Sequence, residues 1–332
     1  MAAQHDDARP AARFNRLGHE GKGSAAAVRI GIDARAASEV PSGRGGLMRE
    51  LLRGFAELDA PHEYRLYART PWADAPRSAT DGAPASGSAA GARAGSSPRA
   101  AFEWRSQTGP APLWAIRAGR AAGRENDVVF ATSSYLLTGF TRAPTAALVH
   151  DLVAFERELR APRGSLFERL TLPLAVRNTH ALICISDATR MELIARFPAT
   201  EGKSHVIPLA ADERFATAEP GDVATRRTKS YVLCTVTLEP RKNVPRLIEA
   251  FAALEPELRD RYELVPAGPE GWQTAEKLEA IGRAPAARAR ARARTGQRPT
   301  ALYAGATVFA PHHCAKAAGC RCWRRWPQAR PC

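Results

Sequence analysis

The stretch "VRIGIDAR" occupies residues 28–35, and the glycine-rich stretch "PSGRGG" follows it at residues 41–46. The first stretch is apolar at its centre, which is typical of a strand buried on both faces of a parallel sheet. Beyond the glycines, large apolar residues recur at near-helical spacing. A strand, a glycine loop and a helix therefore form the first unit of an α/β fold. The apolar residues of that helix are Leu47, Leu51, Leu52, Phe55 and Leu58.

Strand-like and helical patterns continue to alternate along the chain. Helical patterns at "SLFERLTLPLAVRNT" and "DATRMELIARF" separate the later strands, and this alternation indicates parallel βαβ winding. We therefore predict one Rossmann-like domain over residues 28–215. The predicted strands are "EYRLYAR", "DVVFAT" (127–132), "AALVHD" (146–151), "HALICIS" (180–186) and "SHVIPL" (204–209).

A second, smaller domain is predicted over residues 230–311. It opens with the strand "YVLCTV", continues with a helix that has Asn243 as its cap and Pro245 in its first turn, and reaches another strand at "YELVPAG". Residues 283–299 carry no apolar period, so the domain is predicted to be incomplete.

Four other stretches lack the apolar content of a packed element. We predict a disordered N-terminus at 1–27, a flexible loop at 71–101 that is rich in Ala, Gly, Ser and Pro, and a polar linker at 216–229. The fourth stretch is the tail at 312–332, which concentrates cysteine and tryptophan.

The positive charge is unevenly distributed. Residues 283–332 contain eleven lysines and arginines and no acid, so the formal charge of +14 falls to +3 for residues 1–282. A basic binding protein that uses residues 283–332 to contact nucleic acid is therefore one hypothesis. The body of the chain is nearly neutral and gives that hypothesis no support.

The stretch "TLEPRKN" (237–243) places two adjacent cations, Arg241 and Lys242, between a buried strand and a helix. Ligands of doubly wound sheets bind at the carboxyl ends of the strands, and a helix N-terminus adds attraction for anions. A diphosphate would fit there. The alternative is a solvated pair of cations that opens a surface helix.

Several motifs resemble, in order and spacing, those of the retaining glycosyltransferases of family 4, which have the two-domain GT-B architecture. They are "GIDAR", "PSGRGG", "HDL", "ISDATRMELIARF", "VIPLAADERF", "TLEPRKN", "AGPEGW" and "ALYAGATVF", spread over residues 28–311. The resemblance implies two Rossmann-like domains facing a cleft that holds a nucleotide sugar.

The resemblance also implies roles for single residues. It implies that Arg241 and Lys242 neutralise the donor diphosphate and stabilise the leaving nucleotide. It makes His150 a third catalytic residue that faces the transferred sugar, although a histidine at this position can also be structural. It assigns donor binding to Gly43, Gly45, Gly46, Asp151 and Glu239, while an ordinary βα turn is the alternative for the glycines.

The family continues into a motif in which seven residues separate two glutamates, and this chain does not show that motif. If the codons of residues 316–327 are regrouped by one base, they permit E-G-x-G-L-P-V-L-E-A-M-A. We therefore expect that residues 312–332 are an out-of-frame form of this motif and that the chain is impaired in catalysis. A metal site at His312, His313, Cys314, Cys320 and Cys322 is a weaker alternative, because the paired cysteine spacing of a zinc site is lacking.

The resemblance implies a glycosyltransferase that moves a hexose such as mannose from a GDP- or UDP-linked donor to a glycan or lipid-linked glycan acceptor. It implies no metal, no other cofactor and no nucleic-acid partner. The sequence lacks an apolar segment that could act as a signal peptide. We expect a cytoplasmic protein that contacts the inner face of the membrane peripherally.

Overall fold

The computed structural model describes residues 27–40, 43–58, 60–75, 101–155, 162–210, 213–218, 230–235, 244–268 and 299–310. Contacts divide the chain into two units. One contains residues 1–155 and 161–207, and the other contains residues 156–160 and 208–332.

The first unit is built on a seven-stranded parallel sheet in the order β3-β2-β1-β4-β5-β6-β7. Every strand therefore ends at the same edge of the sheet, which is called the carboxyl edge below. The strands are β1 (Arg29–Asp33), β2 (Glu63–Ala68), β3 (Ala101–Ser106), β4 (Val128–Ala131), β5 (Thr145–Val149), β6 (Ala181–Cys184) and β7 (Ser204–Val206). The helices are α1 (Arg35–Glu39), α2 (Arg44–Glu57), α3 (Ala111–Glu125), α4 (Pro162–Asn178) and α5 (Asp187–Arg196), and short 3-10 helices lie at Tyr135–Gly139, Val153–Phe155 and Pro198–Lys203.

The sequence patterns found most of these elements but missed β3, α1 and α3, and they did not indicate the short 3-10 helices. Strand β3 carries Glu103 and Arg105 in place of a continuous apolar run, because it lies at the edge of the described sheet and β2 is its one described neighbour. Helix α3 contains mostly alanine, glycine and arginine, so it has no stripe of large apolar residues. Its buried side includes Trp114, which is fully buried in the larger core cluster.

The second unit has a three-stranded parallel sheet in the order β10-β8-β9. One apolar cluster joins Cys234 and Leu264 of the sheet to Ile248 and Phe251 of the helix Val244–Ala252. Apolar residues at helical spacing in that segment predict such a stripe. The elements are α6 (Glu213–Ala216), β8 (Ser230–Thr235), α7 (Val244–Ala252), α8 (Pro256–Arg261), β9 (Tyr262–Ala267), α9 (Pro299–Ala304) and β10 (Val308–Phe309).

The division between the units falls after Ile207, eight residues before the predicted end of the first domain at residue 215. The short helix α6 explains this difference. Its Phe215 forms an edge-on ring contact with Tyr303 of α9, with ring centroids 5.3 Å apart. The segment therefore packs with the second unit.

The predicted flexible loop at 71–101 is shorter than expected at both ends. Trp72 is only 9% exposed and joins the apolar cluster around β1 and β2, and the Arg53 guanidinium lies 5.1 Å from the centre of its ring. Ala101 already belongs to β3. Residues 76–100, 1–26, 219–229 and 311–332 lie outside the described part of the chain, so the predictions for the loop, the N-terminus, the linker and the tail stay predictions there.

Helix α3 packs closely against the segment that follows it, and Gly119 permits this approach. A Cβ at Gly119 would lie 2.6 Å from the Leu137 carbonyl oxygen. Main-chain atoms cannot rotate away as a flexible side chain can, so we expect Gly119→Ala to lower the free energy of unfolding by about 1–3 kcal/mol.

Urea unfolding monitored by circular dichroism would measure this change. The matched control is Gly54→Ala on α2, where a Cβ meets nothing within 4 Å. The control should gain up to about 1 kcal/mol from helix propensity. An equal response of the two variants would contradict the packing assigned to α3.

Candidate functional site at the carboxyl edge

The order of the strands reverses direction between β1 and β4, because the chain leads outward from β1 to β2 and β3 on one side and from β4 onward on the other. A crevice forms at the carboxyl ends of two such strands, and ligands of doubly wound sheets bind there. The candidate site of the first unit therefore lies where β1, β4 and β5 end.

The Asp33 carboxylate, 1% exposed, occupies the end of β1. Its Oδ2 accepts hydrogen bonds from the Ser133 N–H (3.1 Å), the Ser133 hydroxyl (2.9 Å) and the Ser134 N–H (2.8 Å). The Thr132 hydroxyl donates to the Asp33 carbonyl oxygen. Asp33 thus fixes the segment that follows β4.

His150 follows β5 directly and is tied to the same segment. Its Nε2 lies 3.1 Å from the Thr132 carbonyl oxygen. A carbonyl oxygen can only accept, so Nε2 carries the proton and Nδ1 is left as an acceptor. Burial and the positive charge of Arg44 lower the pKa of His150 below 6.5. The ring is therefore neutral at pH 7.

The glycine loop approaches the same edge. Gly43 has a φ of +56° and immediately precedes α2, a left-handed conformation that favours glycine. A Cβ at Gly45 would lie 1.7 Å from the Val40 carbonyl oxygen, so Gly45 is required by packing. Gly46 has open space around it. Gly43 and Gly46 therefore both leave room for a group to approach, whereas Gly45 does not.

Asp151 has a local structural role. Its Oδ1 accepts a hydrogen bond of 3.1 Å from the Val153 N–H and so stabilises the turn after β5. Its negative charge also acts on the pKa values of His150 and Glu168.

Two residues that the sequence analysis did not select belong to this site. Arg44 stands at the start of α2, and its charge lowers the pKa values of both His150 and Glu168. Burial raises the pKa of Glu168, a residue of α4, and Asp151 raises it further. Arg44 was visible inside the "PSGRGG" motif, whereas Glu168 lies in an ordinary helical pattern that gave no signal.

A narrow gap, too small to hold a water molecule, lies between these parts. Arg44, Thr132 and His150 supply its polar lining, and Leu47, Met48 and Leu148 contribute to its apolar wall.

The remaining predicted site residues, Glu239, Arg241 and Lys242, lie outside the described residues. The strand before them ends at Thr235 and the helix after them begins at Val244. Within the described ranges, no group of three His, Cys, Asp or Glu side chains could hold a metal ion, and no helix is long and apolar enough to cross a membrane.

The Ser186 hydroxyl accepts a hydrogen bond of 3.2 Å from the Thr189 N–H at the start of α5. A serine that directly precedes the helical pattern "DATRMELIARF" is predicted to cap that helix, and the structure confirms that Ser186 does so.

Loss of the Asp33 carboxylate should destabilise the first unit. Asp33→Ala leaves the half-buried N–H group of Ser133 and the buried N–H group of Ser134 without their acceptor, and we expect the free energy of unfolding to fall by about 2–4 kcal/mol. Chemical denaturation would measure this. Asp187→Ala, at an exposed carboxylate in the first turn of α5, should cost less than about 1 kcal/mol. Similar costs for the two variants would refute the role given to Asp33.

The titration of His150 tests its environment. Because its folded-state pKa lies below 6.5, the unfolded chain binds more protons near that pH, so this residue makes folding less favourable as the pH falls through 6.5. Arg44→Gln should raise the pKa part of the way towards 6.5, since burial remains. NMR of the imidazole would record it, with Arg53→Gln on α2 as the control. A pKa that does not move in Arg44→Gln would show that the two residues are uncoupled.

Comparison with known proteins identifies the family of the chain. The family model described as glycosyltransferase family 4 matches residues 43–215, which is more than half of the chain. The chain is also 27% identical over 146 residues to the O-antigen chain mannosyltransferase B of Escherichia coli, a match that covers 42% of this chain and 38% of that protein. The match therefore spans less than two fifths of that relative.

Two solved structures have a similar fold. Sucrose-phosphate synthase from Thermosynechococcus elongatus gives a TM-score of 0.57 at 15% identity, covering 85% of this chain and 74% of that one. A glycosyltransferase from Rickettsia africae gives 0.52 at 13% identity, covering 86% and 72%. At such identities the likeness concerns the fold alone. The chain belongs to glycosyltransferase family 4, and it has the α/β fold of the GT-B class.

Proposed function

We propose that the protein transfers a hexose of the mannose type from a nucleotide diphosphate sugar to a growing surface polysaccharide or lipid-linked glycan, with retention at the anomeric carbon. The match of residues 43–215 to family 4 carries this proposal. The similarity to a protein named as an O-antigen chain mannosyltransferase supports the choice of sugar and acceptor.

The donor diphosphate binds at Arg241 and Lys242 in this proposal. The described elements on either side support it, because the pair falls between the carboxyl end of β8 and the first residue of α7. Strand ends and helix starts attract phosphate groups in doubly wound sheets. Glu239 of the same segment contacts the donor.

The reaction breaks the bond between the anomeric carbon and the diphosphate oxygen and forms a bond from that carbon to an acceptor hydroxyl oxygen. The nucleotide diphosphate leaves with the electron pair, and the two cations stabilise its new negative charge. The hydroxyl proton passes to the departing phosphate oxygen. Charge stabilisation by side chains removes the need for a metal ion.

The first unit supplies the surface for the sugar. The neutral His150 has Nδ1 available to accept a hydrogen bond from a sugar hydroxyl, and Arg44 supplies a cation beside it. Gly46 leaves room for the sugar at the start of α2. We place the reaction at the cytoplasmic face of the membrane, where a lipid-linked acceptor would be held by peripheral contact.

Nucleotide binding tests the proposal. We expect GDP or UDP at about 100 times its Kd to stabilise the full chain by about 2.7 kcal/mol, detected as a higher unfolding temperature. Replacement of both Arg241 and Lys242 by Gln should abolish the shift. The control replaces Arg226 and Arg227, an adjacent pair elsewhere in the chain, in the same way. If the two double variants respond alike, the diphosphate site is wrongly placed.

Turnover tests the expectation for the tail. In a restored variant, the codons after residue 311 are regrouped by one base so that they encode the motif with two glutamates. We expect this variant to transfer sugar to the acceptor, and we expect the chain with the present sequence to do so much more slowly. A radiolabelled nucleotide-sugar assay with and without EDTA would measure both rates, and EDTA should change neither. Equal turnover by the two chains would contradict the assignment of residues 312–332 as out of frame.

A further inference from the structure

A second cavity lies in the first unit, away from the site described above. Its volume is about 310 Å³. Helix α3 lines it with Arg120, Gly123 and Arg124, and the segment before β5 lines it with Phe140, Thr141 and Arg142. We call this cavity the arginine cavity.

The arginine cavity is at the opposite edge of the sheet from His150. Helix α3 ends just before β4 begins, and the second lining segment ends just before β5 begins. His150 follows the last residue of β5. A five-residue strand spans about 17 Å, so a ligand in this cavity would not be the sugar held at the carboxyl edge.

The charges around the cavity are of one sign. Arg120, Arg124 and Arg142 are all exposed at its rim, and none forms an ion pair with a described residue. The nearest acidic residues along the chain are already engaged elsewhere. Glu125 accepts a hydrogen bond of 3.0 Å from the Tyr67 hydroxyl and lies 3.5 Å from Arg105, and Asp127 forms a salt bridge with Arg29 at 3.0 Å.

Close packing forms the floor of the cavity. A Cβ at Gly123 would lie 2.7 Å from both the Arg142 nitrogen and the Thr141 hydroxyl oxygen, so the helix and the segment touch through their main chains. The Arg120 guanidinium lies 5.8 Å from the centre of the Phe140 ring. A ring contact of this kind leaves the N–H groups of the guanidinium available to a ligand. The main chain of Arg142 and the guanidinium of Arg120 are therefore held close to the cavity.

We propose that the arginine cavity binds a phosphate monoester. A guanidinium group can donate two parallel N–H hydrogen bonds to two phosphate oxygens. Three guanidinium groups also match the double negative charge of a phosphate monoester better than the single charge of a carboxylate ligand. The volume leaves space for a small organic group beside the phosphate, and Phe140 offers that group an apolar face. The phosphate can belong to a free metabolite or to a lipid headgroup.

Binding to the full chain tests this proposal with two free probes, inorganic phosphate and glycerol 3-phosphate. We expect saturable binding by calorimetry at low salt that weakens at high salt. Arg120→Gln and Arg142→Gln should each weaken it by about tenfold. The control is Arg261→Gln, which removes a guanidinium 5.5 Å from the Tyr262 ring in the second unit and should leave binding unchanged.

Labelling with phenylglyoxal locates the bound probe. Either probe should protect Arg120, Arg124 and Arg142 from modification, as read by peptide mass spectrometry, and should leave Arg261 reactive. This readout does not depend on transferase activity or on Arg241 and Lys242, so the proposal stands or fails separately from the proposed function.

A second experiment, binding to lipid vesicles, distinguishes the two sources of the phosphate. Sedimentation with phosphatidylcholine vesicles that contain phosphatidic acid, against phosphatidylcholine alone, detects a lipid headgroup. The cavity is assigned to a lipid headgroup if the protein binds the vesicles but not the free probes, and if Arg120→Gln and Arg142→Gln abolish the vesicle binding. Binding of the free probes alone assigns it to a soluble phosphate. No binding in either arm, or equal losses in Arg261→Gln, would overturn the proposal.

Discussion

The buried carboxylate of Asp33 is the constraint on which the candidate site depends. Asp33 binds the segment after β4 through the N–H groups of Ser133 and Ser134, and the Thr132 carbonyl oxygen of that segment accepts a hydrogen bond from the His150 Nε2–H group. One chain of hydrogen bonds therefore connects the ends of β1, β4 and β5. These strands are far apart in sequence, and a carboxylate at the point where the strand order reverses holds their ends in one geometry.

Small residues on α3 have a related effect on the other edge. Gly119 and Gly123 let the helix touch the main chain of residues 137–142, and alanines at 115, 118 and 122 are fully buried beside them. Helix and segment approach closely because no side chain separates them. The same contact leaves the longer arginine side chains at the rim, where they enclose a cavity. Close packing thus creates a surface feature as well as a stable core.

The charges in the first unit are arranged to keep His150 neutral. Burial disfavours the imidazolium, and the neighbouring Arg44 disfavours it further, while Asp151 and the Thr132 carbonyl act in the opposite direction with less weight. A neutral ring keeps one acceptor nitrogen and one donor nitrogen, and the donor is already committed. This is the state that can recognise a hydroxyl group, which is consistent with a sugar-binding role under the proposed function. A charged ring would have no acceptor to offer.

The sequence by itself determined the α/β class, most of the strands, the amphipathic helix α7, the Ser186 cap and the family, because these follow from local apolar spacing and from short motifs. It also selected His150 and the glycine loop. Tertiary structure alone revealed β3 and α3, whose exposed or small residues carry no local pattern and gain their order from pairing with β2 and from packing around Trp114. It also added Arg44, Glu168 and the arginine cavity, and it gave Asp33 its role. Each of these depends on residues brought together from distant parts of the chain. The spacing of apolar residues within a short segment does not specify which distant residues will be neighbours in the fold.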